Sequence, residues 1–563
     1  MKWRYYFGDT KWVFLLILLS AAVLLSWVFT VPFDKAPDER AHFGLMYFIV
    51  QNHDLPVAGE QRLTELIKEY SVYYGALPSL PYIFGAIGVA IGTILVDDSS
   101  LYLFARFMSV LLGIGTIYLA FRIARLLFPK EYVMQVVVPL VVLLIPQSSF
   151  IFAYANNDSF ATFAITLAYY FIVKCTVDKW SNKNSIFLGV SLGLCLLSKQ
   201  NTYIIILIYV IFLFLSFGKE FGKTIKYLVL SGLTAGLVSG WWFIRNLVIY
   251  NGDLLAIKTS NLTTGTSYYD KGMSLIEFLY NTPWITWSFT SSWAVFDYMA
   301  VRLPRWYYWI ILGIITVSLV GMVIHLYQSK VSDRGRNLDT FKTIEIIFSL
   351  SIVFAILLSL WNSYTNPFQP QGKYFFTALI PFVIILVFGL RNLLDTFLPG
   401  KKNLLFGVFI GFFLIMNIFS VVFLYRFYNN PLIYITKEKN LLDAGFENGN
   451  NINIKKNNNL IYFYSIGPDP QAVIRNLEIS TTPRQIMILN FETETVGQIY
   501  WETNSSPGYS EEKSLKMKFE KGKDYIINIG NHSQWKNIVT SIRVDPSENE
   551  SERAVVLKRL EIY

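Results

Sequence analysis

The sequence predicts a polytopic α-helical membrane protein that ends in a soluble β-sandwich. Of its 563 residues, 53% are hydrophobic, 17% are aromatic and only 15% are charged, which is too apolar for a soluble protein of this size. Apolar runs near the ~20 residues that cross a bilayer recur between residues 12 and 425, and a polar, Asn-rich tail follows. We expect a membrane domain over 1–429, a linker over 430–454 and a soluble domain over 455–563.

Eleven apolar runs are predicted to cross the membrane. The first follows Lys2, Arg4 and Lys11, is too long for a cleaved signal peptide and lacks an A-x-A site. It therefore indicates an uncleaved signal anchor in the plasma membrane, with a cytoplasmic N-terminus. The eleven runs are 12–31, 101–121, 132–147, 158–174, 186–199, 202–217, 227–244, 306–325, 344–361, 374–391 and 404–425.

A further apolar stretch, 80–96, is not predicted to cross the membrane, because counting it as a crossing reverses the charge bias of the loops. When it is not counted, the basic clusters of alternate loops, such as 122–130, all fall on the cytoplasmic side, as the positive-inside rule requires. When it is counted, every cluster moves outside. Its prolines and glycines suit a helix at the outer interface. The tail and loops 32–100, 245–305 and 362–374 then lie outside, and we expect these loops to form the site.

Several function classes have no support in the sequence. The net charge of +9 comes from Lys and Arg between apolar runs, where membrane orientation already accounts for them, so nucleic acid is not an expected partner. Cys175 and Cys195 lack CxxC or metal-ligand spacing, and no disulfide framework is expected. Neither GxxxxGK[ST] nor GxGxxG occurs, so nothing indicates a nucleotide site.

The stretch "APDERAHFG" at residues 36–44 is the first candidate for chemistry. It is predicted to begin a helix with Asp38 and Glu39 in its first turn, and His42 then shares a face with Asp38. A solvated loop is the alternative. A carboxylate here would act as a general base for a hydroxyl, or would hold a divalent cation with a second acid. Asp158 in "YANNDSF" is that acid, and it equally suits a helix N-cap.

Cationic side chains at the outer ends of spans form the second candidate group. Each alone suits a snorkelling anchor at the membrane surface. Together, on the side that holds the acids, they suit an anionic substrate, most simply a phosphate. Beside an interfacial helix over 80–96, that phosphate would belong to a lipid. The cations are Lys199, Arg245, Arg302, Arg305 and Lys373.

These motifs resemble those of a known superfamily. "PDERAHFG" is similar to the acidic first-loop motif of GT-C glycosyltransferases, which use polyprenyl-phosphate sugars and include protein O-mannosyltransferases and lipid A aminoarabinose transferase. "NNDS", "LLSKQ", "WWFIRNLVIYNGD" and "QPQGKYFFTALIPF" follow in a similar order, with Lys373 in place of the Arg of a QGRY-type motif. The resemblance is closest to a bacterial branch with a PPDE-A-HF first loop, in which Ala36 replaces the first proline. It covers residues 30–390 as short ordered motifs.

The resemblance implies a hexosyl- or pentosyltransferase that moves a sugar from a polyprenyl-phosphate donor to a hydroxyl of an extracytoplasmic acceptor, such as a cell-surface glycopolymer, with inversion. Asp38 would be the base, Glu39 would orient the acceptor or the base, and His42 would support the helix or the acceptor. A divalent cation on Asp38 and Asp158 stays open, and no other cofactor is required. The donor phosphate would be held by cations: Lys199, Arg245, Arg305 and Lys373.

Three other functions were weighed against this one. A flippase or transporter of lipid-linked glycans would place ionisable groups at mid-span or show internal repeats, and the sequence indicates neither. A polymerase or ligase of lipid-linked glycans is chemically close and cannot be separated by sequence. A membrane anchor for a carbohydrate-binding tail would not need eleven spans.

The tail is predicted to fold as an extracytoplasmic, jelly-roll-like β-sandwich. From about residue 455, apolar and polar residues alternate with a period of two in segments such as "QIYWETN" and "VTSIRVDP". Turn residues separate these segments, as in a β-sandwich. Some of its aromatic side chains would either stack on sugar rings or pack in the core. These are Tyr500, Trp501, Tyr509 and Trp535.

Overall fold

The chain forms two compact units, Met1–Tyr428 and Asn429–Tyr563. The first is helical and the second is built from β-strands. The structure, a computed structural model, describes residues 2–218, 220–260, 267–299, 301–332, 340–429, 439–457, 460–481, 485–547 and 553–562.

Helices make up nearly all of the regular structure of the first unit, apart from a short hairpin of strands β1 (Val295–Phe296) and β2 (Val301–Arg302). The helices are α1 (Lys2–Thr30), α2 (Glu39–Asn52), α3 (Gln61–Ile67), α4 (Ser71–Gly75), α5 (Leu80–Leu95), α6 (Leu101–Leu127), α7 (Tyr132–Leu144), α8 (Pro146–Ile151), α9 (Asp158–Val177), α10 (Asn182–Leu196), α11 (Ile204–Phe217), α12 (Phe221–Ile249), α13 (Ile257–Ser260), α14 (Leu275–Asn281), α15 (Trp284–Ser291), α16 (Arg305–Ser332), α17 (Thr340–Thr365), α18 (Leu379–Phe397) and α19 (Lys402–Asn429).

The prediction of a multi-pass membrane protein is confirmed. Within the described residues, nine helices are long and apolar enough to span a bilayer. They correspond to nine of the eleven predicted crossings. The other two, 132–147 and 186–199, coincide with the shorter helices α7 and α10, so the count of eleven stays a prediction. Helices α6, α9 and α18 are mostly buried in the unit, whereas α1, α16 and α19 expose most of their apolar surface.

Helix α5 covers the stretch that the loop-charge test excluded from the crossings. Its small residues face the protein: a Cβ on Gly85 would lie 2.4 Å from Met46 Sδ of α2, and one on Gly88 would lie 2.5 Å from Met108 Cγ of α6. On its other face, Ile94 is 82% exposed. The helix therefore packs tightly on one side and presents aliphatic side chains on the other. Its placement at the interface stays a prediction.

The second unit consists of antiparallel strands in two sheets. Within the described residues the sheet orders are β11-β10-β13-β7-β4, with β8 on β13, and β12-β9-β14-β6-β5, with β3 on β14. The strands are β3 (Lys439–Asn440), β4 (Glu447–Asn448), β5 (Ile452–Asn457), β6 (Leu460–Ser465), β7 (Ala472–Ile474), β8 (Ile479–Ser480), β9 (Met487–Phe491), β10 (Thr495–Thr503), β11 (Ser514–Phe519), β12 (Asp524–Ile527), β13 (Ile538–Asp545) and β14 (Val555–Ile562).

One hydrophobic cluster joins the inner faces of these two sheets. It contains Trp501 of β10 and Leu557 of β14, both with no exposed surface, and Trp535 at 4%. Trp501 and Trp535 therefore pack in the core. Tyr500 lies on the other face of β10, where the Arg543 guanidinium covers its ring at 4.5 Å. Tyr509 is partly buried beside it, with its hydroxyl against Ser541.

Candidate active site

Asp38 stands immediately before the first residue of α2, in an unusual backbone conformation. Its φ of 61° and ψ of 12° are left-handed, a region that Asp tolerates better than most residues. Its carboxylate is 34% exposed and accepts a hydrogen bond from the Tyr74 hydroxyl, whose pKa is raised by burial and by the Asp38 charge. The turn thus presents a partly solvated carboxylate at the start of a helix.

Glu39, the next residue, is fully buried and faces the other way. Its carboxylate forms a bidentate ion pair with Arg106 of α6, whose Nε donates to Oε1 at 2.6 Å and whose Nη2 donates to Oε2 at 2.7 Å. It also accepts the backbone N–H groups of Asp34 at 3.0 Å and Ala155 at 3.2 Å. Arg106 in turn donates to the carbonyl of Val31 at 2.6 Å. Glu39 therefore joins the first loop to α6.

His42 lies one turn into α2, on the same side as Asp38. It is 3% exposed, its ring stacks on Tyr82, and its Nδ1 lies 3.0 Å from the Tyr82 hydroxyl. Burial lowers the pKa of His42 to about 3, against the smaller opposing effect of Asp38. A neutral imidazole at physiological pH supports the α2 helix and is not a proton donor for catalysis.

The carboxylates of Asp38 and Asp158 lie close to two ammonium groups. Lys199 Nζ is 2.5 Å from Asp158 Oδ1, and Lys373 Nζ is 3.7 Å from Asp158 Oδ2 and 3.9 Å from Asp38 Oδ2. Asp158 is the first residue of α9, after the N-cap residue Asn157, and its Oδ1 accepts a hydrogen bond from Lys199. Its charge holds the two lysines, which come from separate parts of the sequence.

Close packing fixes the segment that carries Lys373. The 3-10 segment Gly372–Ala378 begins where the Gly372 N–H donates to Ser291 Oγ at 2.7 Å. A Cβ on Gly372 would lie 2.1 Å from the Ser292 backbone nitrogen. Only glycine permits this approach, and it places the neighbouring lysine beside the two carboxylates.

These groups border a cavity of about 1020 Å³. Asp38, His42, Lys199 and Lys373 line it, and Asp158 lies behind the two lysines. The remaining walls come from the α3–α4 region, the 3-10 segment Gln200–Tyr203 before α11, helix α13 and residues 361–374. The sequence-predicted acid, imidazole and lysines are thus brought together.

A second, apolar space is lined in part by the segment that carries Lys373. It has a volume of about 270 Å³ and lies among α15, α16, α17 and α18, with lining residues such as Trp284 and Phe382. Lys373 and Tyr374 line the polar cavity, whereas the next two residues, Phe375 and Phe376, line the apolar pocket. One short segment therefore contributes a cation to the polar cavity and aromatic side chains to the apolar pocket.

Two of the predicted phosphate ligands do not reach the cavity. Arg245 donates to the carbonyl of Pro56 at 2.8 Å and stacks over Trp242 at 4.8 Å, so it holds the loop after α2. Arg305 is exposed at the start of α16. Arg302 likewise lies over the Trp287 ring at 5.0 Å. Position at the outer end of a span does not determine where a long side chain points.

The donor set does not fit a divalent cation. Within the described residues, no group of three or more His, Cys, Asp and Glu side chains is placed to hold a metal ion. The Lys373 ammonium stands between Asp38 and Asp158, within 4 Å of both, where a shared cation would have to sit. We therefore derive no step through a metal.

Two contributors were missed by the sequence reasoning. Arg106 is a lone arginine within the apolar run of α6, and that isolation was a usable signal. Asn157 lines the cavity and is 1% exposed. Because it is uncharged, an argument from the charges of the loops could not identify it. Arg106 acts through Glu39, a partner far away in the sequence.

The fold and the site define a multi-pass helical membrane protein with a charged cavity. Residues 83–243 match the sequence profile of the family described as dolichyl-phosphate-mannose-protein mannosyltransferase. The predicted resemblance to polyprenyl-phosphate-dependent GT-C glycosyltransferases is confirmed over this part of the chain. No curated protein sequence matches the chain.

Two solved structures are distantly similar. ArnT from Cupriavidus metallidurans bound to undecaprenyl phosphate has 14% identity and a TM-score of 0.44, over 70% of this chain and 62% of that one. The Archaeoglobus fulgidus oligosaccharyltransferase complex with zinc and sulfate has 14% identity and a TM-score of 0.43, over 73% of this chain and 52% of that one. The chain thus spans less than two thirds of the length of either protein.

Proposed function

We propose that the protein is a glycosyltransferase that moves a hexosyl or pentosyl group from a polyprenyl-phosphate donor to a hydroxyl of an extracytoplasmic glycan. The observation that carries this proposal is the cavity where the Asp38 carboxylate lies 3.9 Å from the Lys373 ammonium, which Asp158 also contacts at 3.7 Å. This arrangement supplies a base and a cationic site in one partly enclosed space.

Donor binding in this proposal rests on Lys199, Lys373 and the apolar pocket that Phe375 and Phe376 line. The two ammonium groups suit a phosphate, and the walls at Phe375 and Phe376 suit the first isoprenoid units of its lipid. A soluble phosphate ester would not need such a pocket. The description of the matching family names a dolichyl-phosphate sugar, which is a donor of the same chemical class.

The reaction follows from these placements. Asp38 accepts the proton of the acceptor hydroxyl as its oxygen forms a bond to the anomeric carbon. The bond from that carbon to the phosphate oxygen breaks, and its electron pair leaves with the polyprenyl phosphate. Lys199 and Lys373 stabilise the negative charge that develops there. Attack opposite the leaving group inverts the anomeric carbon.

The membrane orientation is part of the proposal. The loop-charge argument places the N-terminus in the cytoplasm and the second unit outside, together with the loops that carry Asp38 and Lys373. Labelling of single cysteines in intact cells tests this assignment. A reagent that does not cross the membrane should modify a cysteine placed in the second unit and spare one placed in the α6–α7 loop.

The main test uses purified protein and radiolabelled undecaprenyl-phosphate sugar. Wild-type protein should hydrolyse or transfer the label, and Asp38→Asn should lower the rate by about 10²- to 10⁴-fold, as expected for loss of a general base. Asp34→Asn is the matched control, since Asp34 is a nearby carboxylate that pairs with Arg40 at 2.8 Å and does not line the cavity. Equal loss in both variants, or no loss in Asp38→Asn, contradicts the proposal.

A further inference from the structure

Six side-chain amides line the cavity, and we call this set of residues the amide wall. Its members are Gln200, Asn201, Asn362, Asn366, Gln369 and Gln371. All are partly exposed. Within the described residues, their side chains make few bonds to one another: Asn366 Nδ2 donates to Asn362 Oδ1 at 3.0 Å, and the Tyr374 hydroxyl donates to Gln369 Oε1. Gln200 Nε2 also donates to the carbonyl of Leu255 at 3.4 Å, and Asn366 Nδ2 to Thr365 Oγ1 at 3.3 Å. Because each amide offers two donors and an acceptor with two lone pairs, these bonds leave most of the capacity of the amide wall for a ligand.

Asn157 adds a buried acceptor to the same cavity. It is 1% exposed and lines the cavity, and its Oδ1 has no hydrogen-bond partner within the described residues. A buried carbonyl without a partner lowers stability, and a ligand hydroxyl that donates to this oxygen would offset that loss. A hydroxyl is the simplest such donor, because it gives a proton without bringing charge.

The charges around the amide wall do not favour a charged ligand. Among the described residues that line the cavity, Asp38 is the one carboxylate, so an ammonium group would compete with the acceptor proton for the base. Lys199 and Lys373 are assigned to the donor phosphate in the proposed function, so neither is available to an anionic acceptor. The other lining cation, Lys68, is exposed.

Two exposed aromatic rings complete this side of the cavity. Tyr70 is 50% exposed and Trp361 is 57% exposed, and both line the cavity. Large flat rings next to amides suit a sugar, whose ring presents C–H groups on its faces and hydroxyls at its edge. A peptide would instead need pockets for its side chains.

We propose that the amide wall and Asn157 bind an uncharged, hydroxyl-rich sugar ring of the acceptor glycan, next to Asp38. The inference rests on the proposed function and specifies the acceptor class at that site. A buried amide that pairs with a hydroxyl also discriminates strongly against a ligand that lacks one, because its own atoms are then left unpaired.

The variant test compares two buried asparagines. Asn157→Leu should raise the KM for acceptor by about tenfold or more and lower the ratio of transfer to donor hydrolysis. Asn246→Leu is the matched control, since Asn246 is also buried with an unpartnered Oδ1 but lies outside the cavity. It should leave the KM for acceptor and the ratio unchanged. An equal effect of both variants, or an effect of Asn157→Leu on donor KM alone, overturns the proposal.

The ligand test uses two pairs of trisaccharides that differ in charge. Chitotriose is neutral and its deacetylated form is cationic, while methyl-esterified trigalacturonate is neutral and the free acid is anionic. Tryptophan fluorescence of the purified protein measures binding, and the neutral member should bind about tenfold more tightly in each pair. Preference for a charged member, tighter binding of a Ser-rich peptide, or binding of no trisaccharide overturns the proposal.

The two proposals fail in different ways. If wild-type protein does not turn over the labelled donor, the proposed function fails. If it hydrolyses the donor in an Asp38-dependent manner but shows no preference for neutral sugars, only the acceptor assignment fails.

Discussion

The cavity wall around Asp38 and the buried cluster around Glu39 are neighbours in sequence but differ in every physical respect. Asp38 is 34% exposed, and its nearest ammonium is 3.9 Å away. Glu39 has no exposed surface and receives Arg106 at 2.6 and 2.7 Å. The Asp38 carboxylate is therefore open to the cavity, whereas the Glu39 carboxylate joins α2 to α6. Of these two adjacent acids, Asp38 is the proposed base and Glu39 has a structural role.

The largest expected effect on stability comes from Glu39→Gln. It leaves the Arg106 charge buried without its counterion, and breaking a buried pair in this way costs about 3–5 kcal/mol. Thermal unfolding in detergent should show a clear fall in Tm, and Asp38→Asn should keep a near wild-type Tm. If Asp38→Asn is the less stable of the two, the division between the two carboxylates is wrong.

A smaller but still large effect is expected from Gly372→Ala. The new methyl would lie 2.1 Å from the Ser292 nitrogen, so the segment must move and carry Lys373 with it. A displacement of about 1 Å at a catalytic group costs about 10²-fold in rate. Gly400→Ala is the control, since nothing lies within 4 Å of its Cβ position. Wild-type turnover in Gly372→Ala would show that the placement of Lys373 is not critical.

The pH dependence of stability should contain a contribution from His42. Burial lowers its pKa from 6.5 to about 3, so the unfolded chain binds more protons between these values. The stability it contributes is present above pH 6.5 and falls as the pH drops, by at most about 1.4 kcal/mol per pH unit. His42→Gln should flatten the Tm profile between pH 6.5 and pH 4. An unchanged profile would mean that His42 is charged in the folded protein.

The smallest effect is expected from removal of divalent cations. Since Lys373 occupies the position between Asp38 and Asp158, EDTA should leave donor hydrolysis near the untreated rate. Loss of activity with EDTA, and its return with Mn²⁺ or Mg²⁺, would contradict this account of the cation site.

The fold could be predicted to the level of apolar spans and the loops between them, because hydrophobic length is a local property of the sequence. The argument from loop charge led to Lys199 and Lys373, which interrupt the expected bias, whereas Asp38 and His42 were found from the charged stretch at residues 36–44. Long-range pairings leave no such signal. The Arg106–Glu39 pair joins residues 67 positions apart, and nothing near either residue in sequence specifies its partner.

The errors in the candidate site have a related cause. Arg245 was grouped with the phosphate ligands because it ends a span, but its side chain turns to the carbonyl of Pro56. Glu39 was expected to orient a substrate or the base, but a single turn of backbone points it into the protein. Side-chain direction depends on packing that loop charge does not describe.

Binding of undecaprenyl phosphate tests the central claim most directly, because it needs neither the sugar nor the acceptor to be known. Native mass spectrometry of the purified protein should show retention of undecaprenyl phosphate in preference to undecaprenol, which lacks the phosphate. Lys373→Gln should abolish this preference, and Arg305→Gln, which changes an exposed cation outside the cavity, should preserve it. Equal retention of both lipids by the wild-type protein, or an unchanged preference in Lys373→Gln, would contradict a donor-phosphate site at Asp38, Asp158, Lys199 and Lys373.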